Sequence, residues 1–254
     1  MENLDLVARR LHAARTVTVL TGAGVSAASG VPTFRGVDGL WKNVRVDTLA
    51  TPQAFEHDPR LVWEWYDWRR QMIRQAQPNA AHEVLGRWTR ERPGMTLITQ
   101  NVDGLHERAG AERLVRLHGS IWHLRCWQAC AEGRRDWFDD TAPLPTLPPR
   151  CPHCHGLARP GVVWFGEPLG ADDLHRAALA ARCDVFLAVG TSAVVYPAAG
   201  FLHQAKAHGA FTVEINPDAT DATSTVDVAV REKAEEALVK LEKLVNWRTG
   251  ELEN

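Results

Sequence analysis

The sequence lacks an apolar run of membrane length, a block of one charge and enough cysteine for a disulfide scaffold. No stretch reaches the roughly 18 apolar residues that a span requires, so no membrane partner is expected. Lys and Arg number 29 against 31 Asp and Glu, a net charge of −2. With no basic run there is no footprint for nucleic acid, and no acidic tail appears. The opening MENLDLVARRLHAAR is amphipathic and carries acids early. It lacks the apolar centre and small-residue cleavage site of a secretory signal, so a cytosolic protein is expected. Five cysteines in 254 residues are too few to staple a fold of this size. There is no internal repeat. The length suits one large α/β domain, or such a domain with a small insertion.

What is present begins at Val17. Val17 to Leu20 read as a buried strand, Thr21 to Gly24 break it, and Val25 to Ala28 can start a helix. Gly22-x-Gly24-x-x-Ala27 matches the strand–turn–helix fingerprint of dinucleotide sites, where glycine lets backbone N–H groups approach phosphate. Ahead of it, Leu4, Val7, Ala8, Leu11 and Ala14 recur at helical spacing. Residues 31–39 form a loop carrying Phe34, Arg35 and Asp38, suited to a flap over a ligand. Residues 48–84 read as helical, with Thr51 as N-cap, Pro52 in the first turn, and Pro78-Asn79 opening a further helix. Met95–Thr99, Leu114–Leu117, Val185–Val189, Phe211–Ile215 and Val226–Val230 read as strands, and Arg159–Glu167 as another. Helices are expected at 106–109, about 171–182, about 197–208 and 231–245. This rhythm predicts a Rossmann-like, doubly wound parallel sheet with helices on both faces. Polar turns at 21–26, 100–103, 118–120, 190–192 and 216–218 end its strands and should line one crevice.

Residues 126–158 change character and are rich in Pro, Cys, Arg and Asp. Cys126-x3-Cys130 and Cys151-x2-Cys154 offer four thiolates in two close pairs, the pattern of a structural zinc site with no open position for water. His123, His153 and His155 are spare candidate ligands. Cys183 reads as a core residue. The expected division is a Rossmann-like domain from 1–40, 85–120 and 160–254, with a smaller inserted domain made of a helical module, 41–84, and a zinc module, 121–159.

Several motifs now stand in order: GAGVSAASGVPTFRG at 22–36, TQNVDGLHERAG at 99–110, LHGS at 117–120, the cysteine pairs, PGVVWFGE at 160–167, GTSAVVYPAAGF at 190–201 and EINP at 214–217. Over about residues 16–245 the chain resembles the sirtuins, NAD-dependent protein lysine deacylases, and looks most like their bacterial and desuccinylase-type members. The resemblance implies NAD as cofactor, structural Zn2+ and acyl-lysine-bearing proteins as partners. It implies a reaction in which an acyl-lysine oxygen takes the nicotinamide-bearing ribose carbon of NAD. Nicotinamide leaves, a base draws the 2′-hydroxyl into attack, and water frees the lysine and an O-acyl-ADP-ribose. His118 then fits the base, with Asn101 beside it in catalysis. Gln100, Asn101 and Asp103 fit contacts to ribose and carboxamide. Ala23 and Phe34 would wall the nicotinamide pocket, and Arg35 would meet phosphate. Gly22, Gly24, Ser26 and Trp41 complete that half of the cofactor site; Gly190, Ser192, Asn216 and Ala234 would hold the adenosine half. No acidic residue ends a second strand about 20 residues after the glycines, which counts against a hydride-transfer enzyme.

Tyr66 and Arg69 stand at i and i+3 and share a helix face. A guanidinium fork plus a phenol makes a receptor for a terminal carboxylate. The resemblance to desuccinylase-type sirtuins implies that this pair reads succinyl-, malonyl- or glutaryl-lysine, with acetyl-lysine also accepted. Val162, Val163, Trp164 and Phe165 would form an edge against which the substrate peptide lies as an added strand. Two rivals stay open: a protein ADP-ribosyltransferase using the same NAD site, and a non-enzymatic NAD-sensing module. The oligomeric state is left open too.

Overall fold

Two sheets of opposite character organise the chain. The computed structural model describes residues 2–32, 40–41, 44–131, 136–192 and 196–245. Five strands are fully parallel neighbours: β1 (Val17–Thr21), β4 (Met95–Thr99), β5 (Leu114–Arg116), β9 (Val185–Val189) and β10 (Phe211–Ile215). With β11 (Val228–Val230) they form a six-stranded sheet in the order β11-β10-β9-β1-β4-β5. Strand order reverses on either side of β1, which makes its carboxyl end the switch point where such sheets hold ligands.

Alternation within the strands explains why both faces are covered. Val17, Val19, Met95, Leu97, Val185 and Leu187 pack with α1 (Glu2–Ala13), α5 (Ala80–Glu91) and α9 (Ala234–Val245). Their neighbours Leu20, Ile98, Val115 and Phe186 turn the other way, toward α7 (Ala171–Ala180) and α8 (Ala198–Ala207). A strand buried on both faces reads as a continuous apolar run, which is why these segments carry so little alternation. The expected Rossmann-like class is what the chain adopts. Cys183 lies in the second of these cores, where burial pushes its thiol up to about 11.

A second sheet, three-stranded and antiparallel, joins β6 (Gly119–Cys126), β7 (Trp137–Phe138) and β8 (Ala158–Val162) in the order β7-β6-β8. Against it lies a third core built on α3 (Pro52–His57) and α4 (Pro59–Gln75), with Phe55, Trp63, Trp65, Tyr66, Ile73 and Trp164 buried together. Thr51 caps α3 through its hydroxyl, and Asp58 caps α4 through its carboxylate. A short α2 (Val46–Leu49) and a hairpin of β2 (Leu40–Trp41) with β3 (Val44–Arg45) precede them.

Three elements differ from expectation. The turn after β1 is a 3₁₀ helix, Ala23–Ser29, rather than the start of an α-helix. It is short, rich in small residues, and stopped by Gly30 at φ 81°, a left-handed conformation that suits glycine. The polar turn at 118–120 runs straight into β6, a strand whose mixed burial hid it in the sequence. The strand expected over Arg159–Glu167 ends at Val162, because Glu167 folds back onto Arg159 and accepts the Trp164 N–H at 2.8 Å.

Candidate active site

A cavity of about 600 Å³ opens at the carboxyl edge of the parallel sheet and reaches across to α4. Into it the strand-end turns bring Ala23, Ser26, Gln100, Asn101, Asp103 and His118. The helical side contributes Tyr66 and Arg69, and the segment after β8 contributes Val162, Val163, Trp164 and Phe165. Residues far apart in sequence meet here because each follows a strand or helix whose register is fixed by the cores behind it.

His118 is held by its ring. Its Nδ1 donates to the Gln100 carbonyl at 2.9 Å, since a carbonyl can only accept. That leaves Nε2 as the lone-pair atom. Burial pulls the imidazole pKa down, and the Gln100 contact opposes part of the shift. A neutral imidazole with one fixed N–H is a general base at neutral pH.

The three amides share a habit. Gln100 Nε2 donates to Thr191 Oγ1 at 2.9 Å, Asn101 Nδ2 to the Gly22 carbonyl at 3.0 Å, and Asn216 Nδ2 to the Thr191 carbonyl at 2.9 Å. Each spends donor capacity inside the protein, and among the described residues no hydrogen bond reaches its side-chain amide oxygen. Three acceptors at strand ends suit hydroxyl-bearing ligands such as ribose. Ser192 Oγ, buried and without a partner among the described residues, adds an unspent polar atom beside them. Thr191 ties the turns after β4, β9 and β10 together, a role with no local sequence signal.

Asp103 is almost fully buried and accepts from Ser26 Oγ at 2.7 Å and from the Leu105 N–H at 2.9 Å. Behind them His82 sits 3.3 Å from Ser26 Oγ, and its Nδ1 accepts the Asn79 N–H. Burial brings the His82 pKa down to about 4, so the ring is neutral. The helix expected after Pro78-Asn79 held His82 without revealing this contact, because only the tertiary fold brings α5 under the turn after β1.

Gly22 and Gly24 act differently from a simple phosphate cradle. A Cβ on Gly22 would lie 2.8 Å from Thr191 Cβ, and one on Gly24 only 2.7 Å from the Gly190 carbonyl oxygen. Their N–H groups donate to the carbonyls of Val189 and Gly190. These glycines let two strand-end turns close against each other. Ala234 begins α9 inside the main core, away from the cavity. Trp41 lies in β2, paired with Val44. Phe34 and Arg35 lie outside the described residues.

The four paired cysteines converge. Their sulfurs all fall within 4.8 Å of one another, with Cys126–Cys154 at 3.5 Å and Cys130–Cys151 at 3.8 Å. A tetrahedral zinc–thiolate centre with bonds of about 2.3 Å sets its sulfurs about 3.8 Å apart, so the set fits Zn2+. The three-residue spacer is accommodated by Ala129, which adopts φ 51° between the first pair. His123, His153 and His155 are not in the cluster. Four thiolates leave the ion structural.

The Sir2 family profile matches residues 22–197, from the first glycine turn to the start of α8. This chain belongs to the Sir2 family. A sirtuin relative, the NAD-dependent protein deacylase of Aquifex aeolicus (strain VF5), is 51% identical over 251 residues, 98% of this chain and 99% of that protein. A Sir2 homologue solved as a mutant complex with 2′-O-acetyl ADP ribose is 43% identical. It superposes with a TM-score of 0.91 over 98% of this chain and 99% of its own. A Sir2 homologue–NAD complex is 44% identical with a TM-score of 0.89, covering 95% and 93%. The chain is thus an enzyme of the sirtuin type that uses NAD, and its acceptor-lined turns and neutral His118 fit that cofactor. No helix among the described residues is long and apolar enough to cross a membrane.

Proposed function

We propose that this sirtuin is an NAD-dependent protein lysine deacylase that prefers acidic acyl groups, succinyl and malonyl first, and also accepts acetyl. One observation carries the reading: His118, Asn101 and the Tyr66–Arg69 pair line a single cavity. The base and the acyl reader therefore face one bound substrate.

NAD, when bound, supplies an electrophilic ribose carbon and a leaving nicotinamide. Gln100, Asn101, Asn216 and Ser192 would hold it through their unspent polar atoms, with Gly190 toward the adenosine half and Ala23 and Ser26 toward the other. Asp103 with Ser26 and Asn101 fixes the wall of the nicotinamide pocket. His118 Nε2 takes a proton from a hydroxyl, and its Nδ1–H keeps the ring aimed by donating to Gln100. The substrate backbone lies along Val162–Phe165. Val163 and Trp164 donate their N–H groups inward, to the His118 carbonyl and Glu167, and the Val163 and Phe165 carbonyls carry no hydrogen bond among the described residues. Those carbonyls are the edge an added strand can use.

The acidic preference rests on Arg69. Its guanidinium stacks over Trp65 at 4.9 Å and Tyr66 at 5.7 Å, and burial lowers its pKa. It stays charged against the two aromatic rings. A charge-assisted hydrogen bond contributes roughly 1.5–3 kcal/mol, about ten- to hundred-fold in selectivity. Arg69→Met should therefore lower the ratio of succinyl to acetyl turnover by that factor, measured on paired peptides. An unchanged ratio overturns the acidic-acyl reading. In domain terms we read 1–40, 85–120 and 160–254 as the NAD-binding part, 41–84 as the helical module and 121–159 as the zinc module. Free thiolates that bind zinc fit the reducing cytoplasm.

A further inference from the structure

We propose that Trp164 is a positioning residue for acyl selectivity: its indole N–H occupies the Tyr66 hydroxyl oxygen and so turns the Tyr66 O–H toward the acyl carboxylate. The inference rests on the acidic-acyl reading above and adds a residue outside the Tyr66–Arg69 pair.

The chemistry follows from donor counting. Indole Nε1–H can only donate, whereas a phenol carries one donor hydrogen and two acceptor lone pairs. Trp164 Nε1 lies 2.9 Å from the Tyr66 oxygen, and both side chains are 2% exposed. The contact therefore has one polarity, with Tyr66 as acceptor. Among the described residues the Tyr66 O–H has no acceptor of its own, and the ring lines the cavity beside Arg69. A buried hydroxyl with an unspent hydrogen is costly unless a ligand takes it. The terminal carboxylate of an acidic acyl chain is such an acceptor, and an acetyl methyl is not.

Trp164 can do this because it is itself held on three sides. Arg159 lies over its ring at 3.5 Å. Arg159 also donates to both Glu167 oxygens at 2.5 and 2.8 Å and to the Val162 carbonyl at 3.0 Å. The same Glu167 carboxylate accepts the Trp164 backbone N–H at 2.8 Å. Phe55 packs against it, tilted by 40° with ring centroids 5.3 Å apart. The ring cannot rotate away, so the Tyr66 oxygen keeps its partner with or without substrate. Phenylalanine at 164 would fill most of the space and leave the Tyr66 hydroxyl free to rotate.

The test is a cycle of variants assayed for kcat/KM on paired succinyl- and acetyl-lysine peptides with saturating NAD. Trp164→Phe should lower the succinyl-to-acetyl ratio about five-fold, the net worth of one neutral hydrogen bond. Placed on Tyr66→Phe, the same change should leave the ratio where Tyr66→Phe alone puts it. A Trp164→Phe effect of equal size in both backgrounds, or equal loss on both peptides, overturns the positioning role. If Trp164→Phe does not fold, benzothienylalanine at 164, which keeps the ring shape without the N–H, must give the same ratio drop or the inference fails. Arg69→Met separates the two levels. If it leaves the ratio unchanged, the acidic-acyl reading falls; if it lowers the ratio while Trp164→Phe does not, only this inference falls.

Discussion

Adding one methyl group at Gly24 tests whether the glycine turn serves packing. The new Cβ would meet the Gly190 carbonyl oxygen at 2.7 Å, its Cα at 2.9 Å and its carbonyl carbon at 3.0 Å. Ordinary contact begins at 3.4 Å, and all three atoms are backbone, so no side chain can swing aside. The Gly24 N–H to Gly190 carbonyl bond, 2.8 Å long, must stretch as the turns separate. Overpacking costs about 1–3 kcal/mol and a weakened hydrogen bond about 1 kcal/mol. Alanine returns about 0.4–1 kcal/mol by restricting the unfolded chain. The net is about 1–3 kcal/mol, which for a chain of this size lowers Tm by about 3–10 °C. The same separation pulls Thr191 from Gln100 and Asn216, so NAD affinity should fall with stability. Scanning calorimetry and titration calorimetry with NAD measure the two effects on one preparation. A Gly24→Ala protein that melts within 1 °C of the parent and binds NAD as tightly would refute this account of the turn.

Other expectations concern His118 and the zinc cluster. His118 must be neutral to act, and burial holds its folded pKa below the usual 6.5. Activity should therefore be full above that pH and fall as pH drops through the lowered value; a limb centred at or above 6.5 would contradict it. His118→Ala should remove the limb and cut kcat about 10²- to 10⁴-fold, read from release of the deacylated peptide. Stripping zinc with a strong chelator should abolish cooperative melting of the β6–β7–β8 module, followed by calorimetry alongside metal analysis. An unchanged melt in protein shown to be metal-free would refute the structural role.

The parallel sheet was legible because its strands are continuous apolar runs ending in polar turns, so Val185–Val189 and Met95–Thr99 announced both their position and their polarity. The zinc cluster was legible because cysteine pairs carry their spacing with them. β6 was not, since GSIWHLRC faces a mixed environment and lacks a clean alternation. The end of β8 depended on an ion pair eight residues apart, Arg159 with Glu167, which no local pattern encodes. In the site, His118 and the amides lay at strand ends and could be found. Thr191, His82 and the polarity of the Trp164–Tyr66 contact could not, because each depends on which element packs behind it. The glycines were found for a reason the structure revises: their missing side chains make room for Gly190 and Thr191.

Selectivity at Arg69 is a difference between two bound states, and the structure suggests where the difference comes from. The guanidinium is already partly stripped of water by Trp65 and Tyr66 before substrate arrives, as its lowered pKa indicates. On the proposed reading, the terminal carboxylate of an acidic acyl chain adds a charge-assisted contact to that guanidinium. An acetyl group leaves the charge as it was. On that reading the cavity need not repel acetyl to prefer succinyl, and modest deacetylation goes with it. Rigidity is what makes the difference usable. α4 is pinned to the zinc module by Arg70, fully buried, which donates to the Asp139 carboxylate at 2.7 Å and the Thr141 carbonyl at 3.0 Å. Trp63 Nε1 adds a bond to the Ala158 carbonyl at 2.8 Å. On the proposed reading, an acyl reader on a helix free to shift would follow its ligand and lose discrimination, and these contacts hold Tyr66 and Arg69 in place across the cavity from His118.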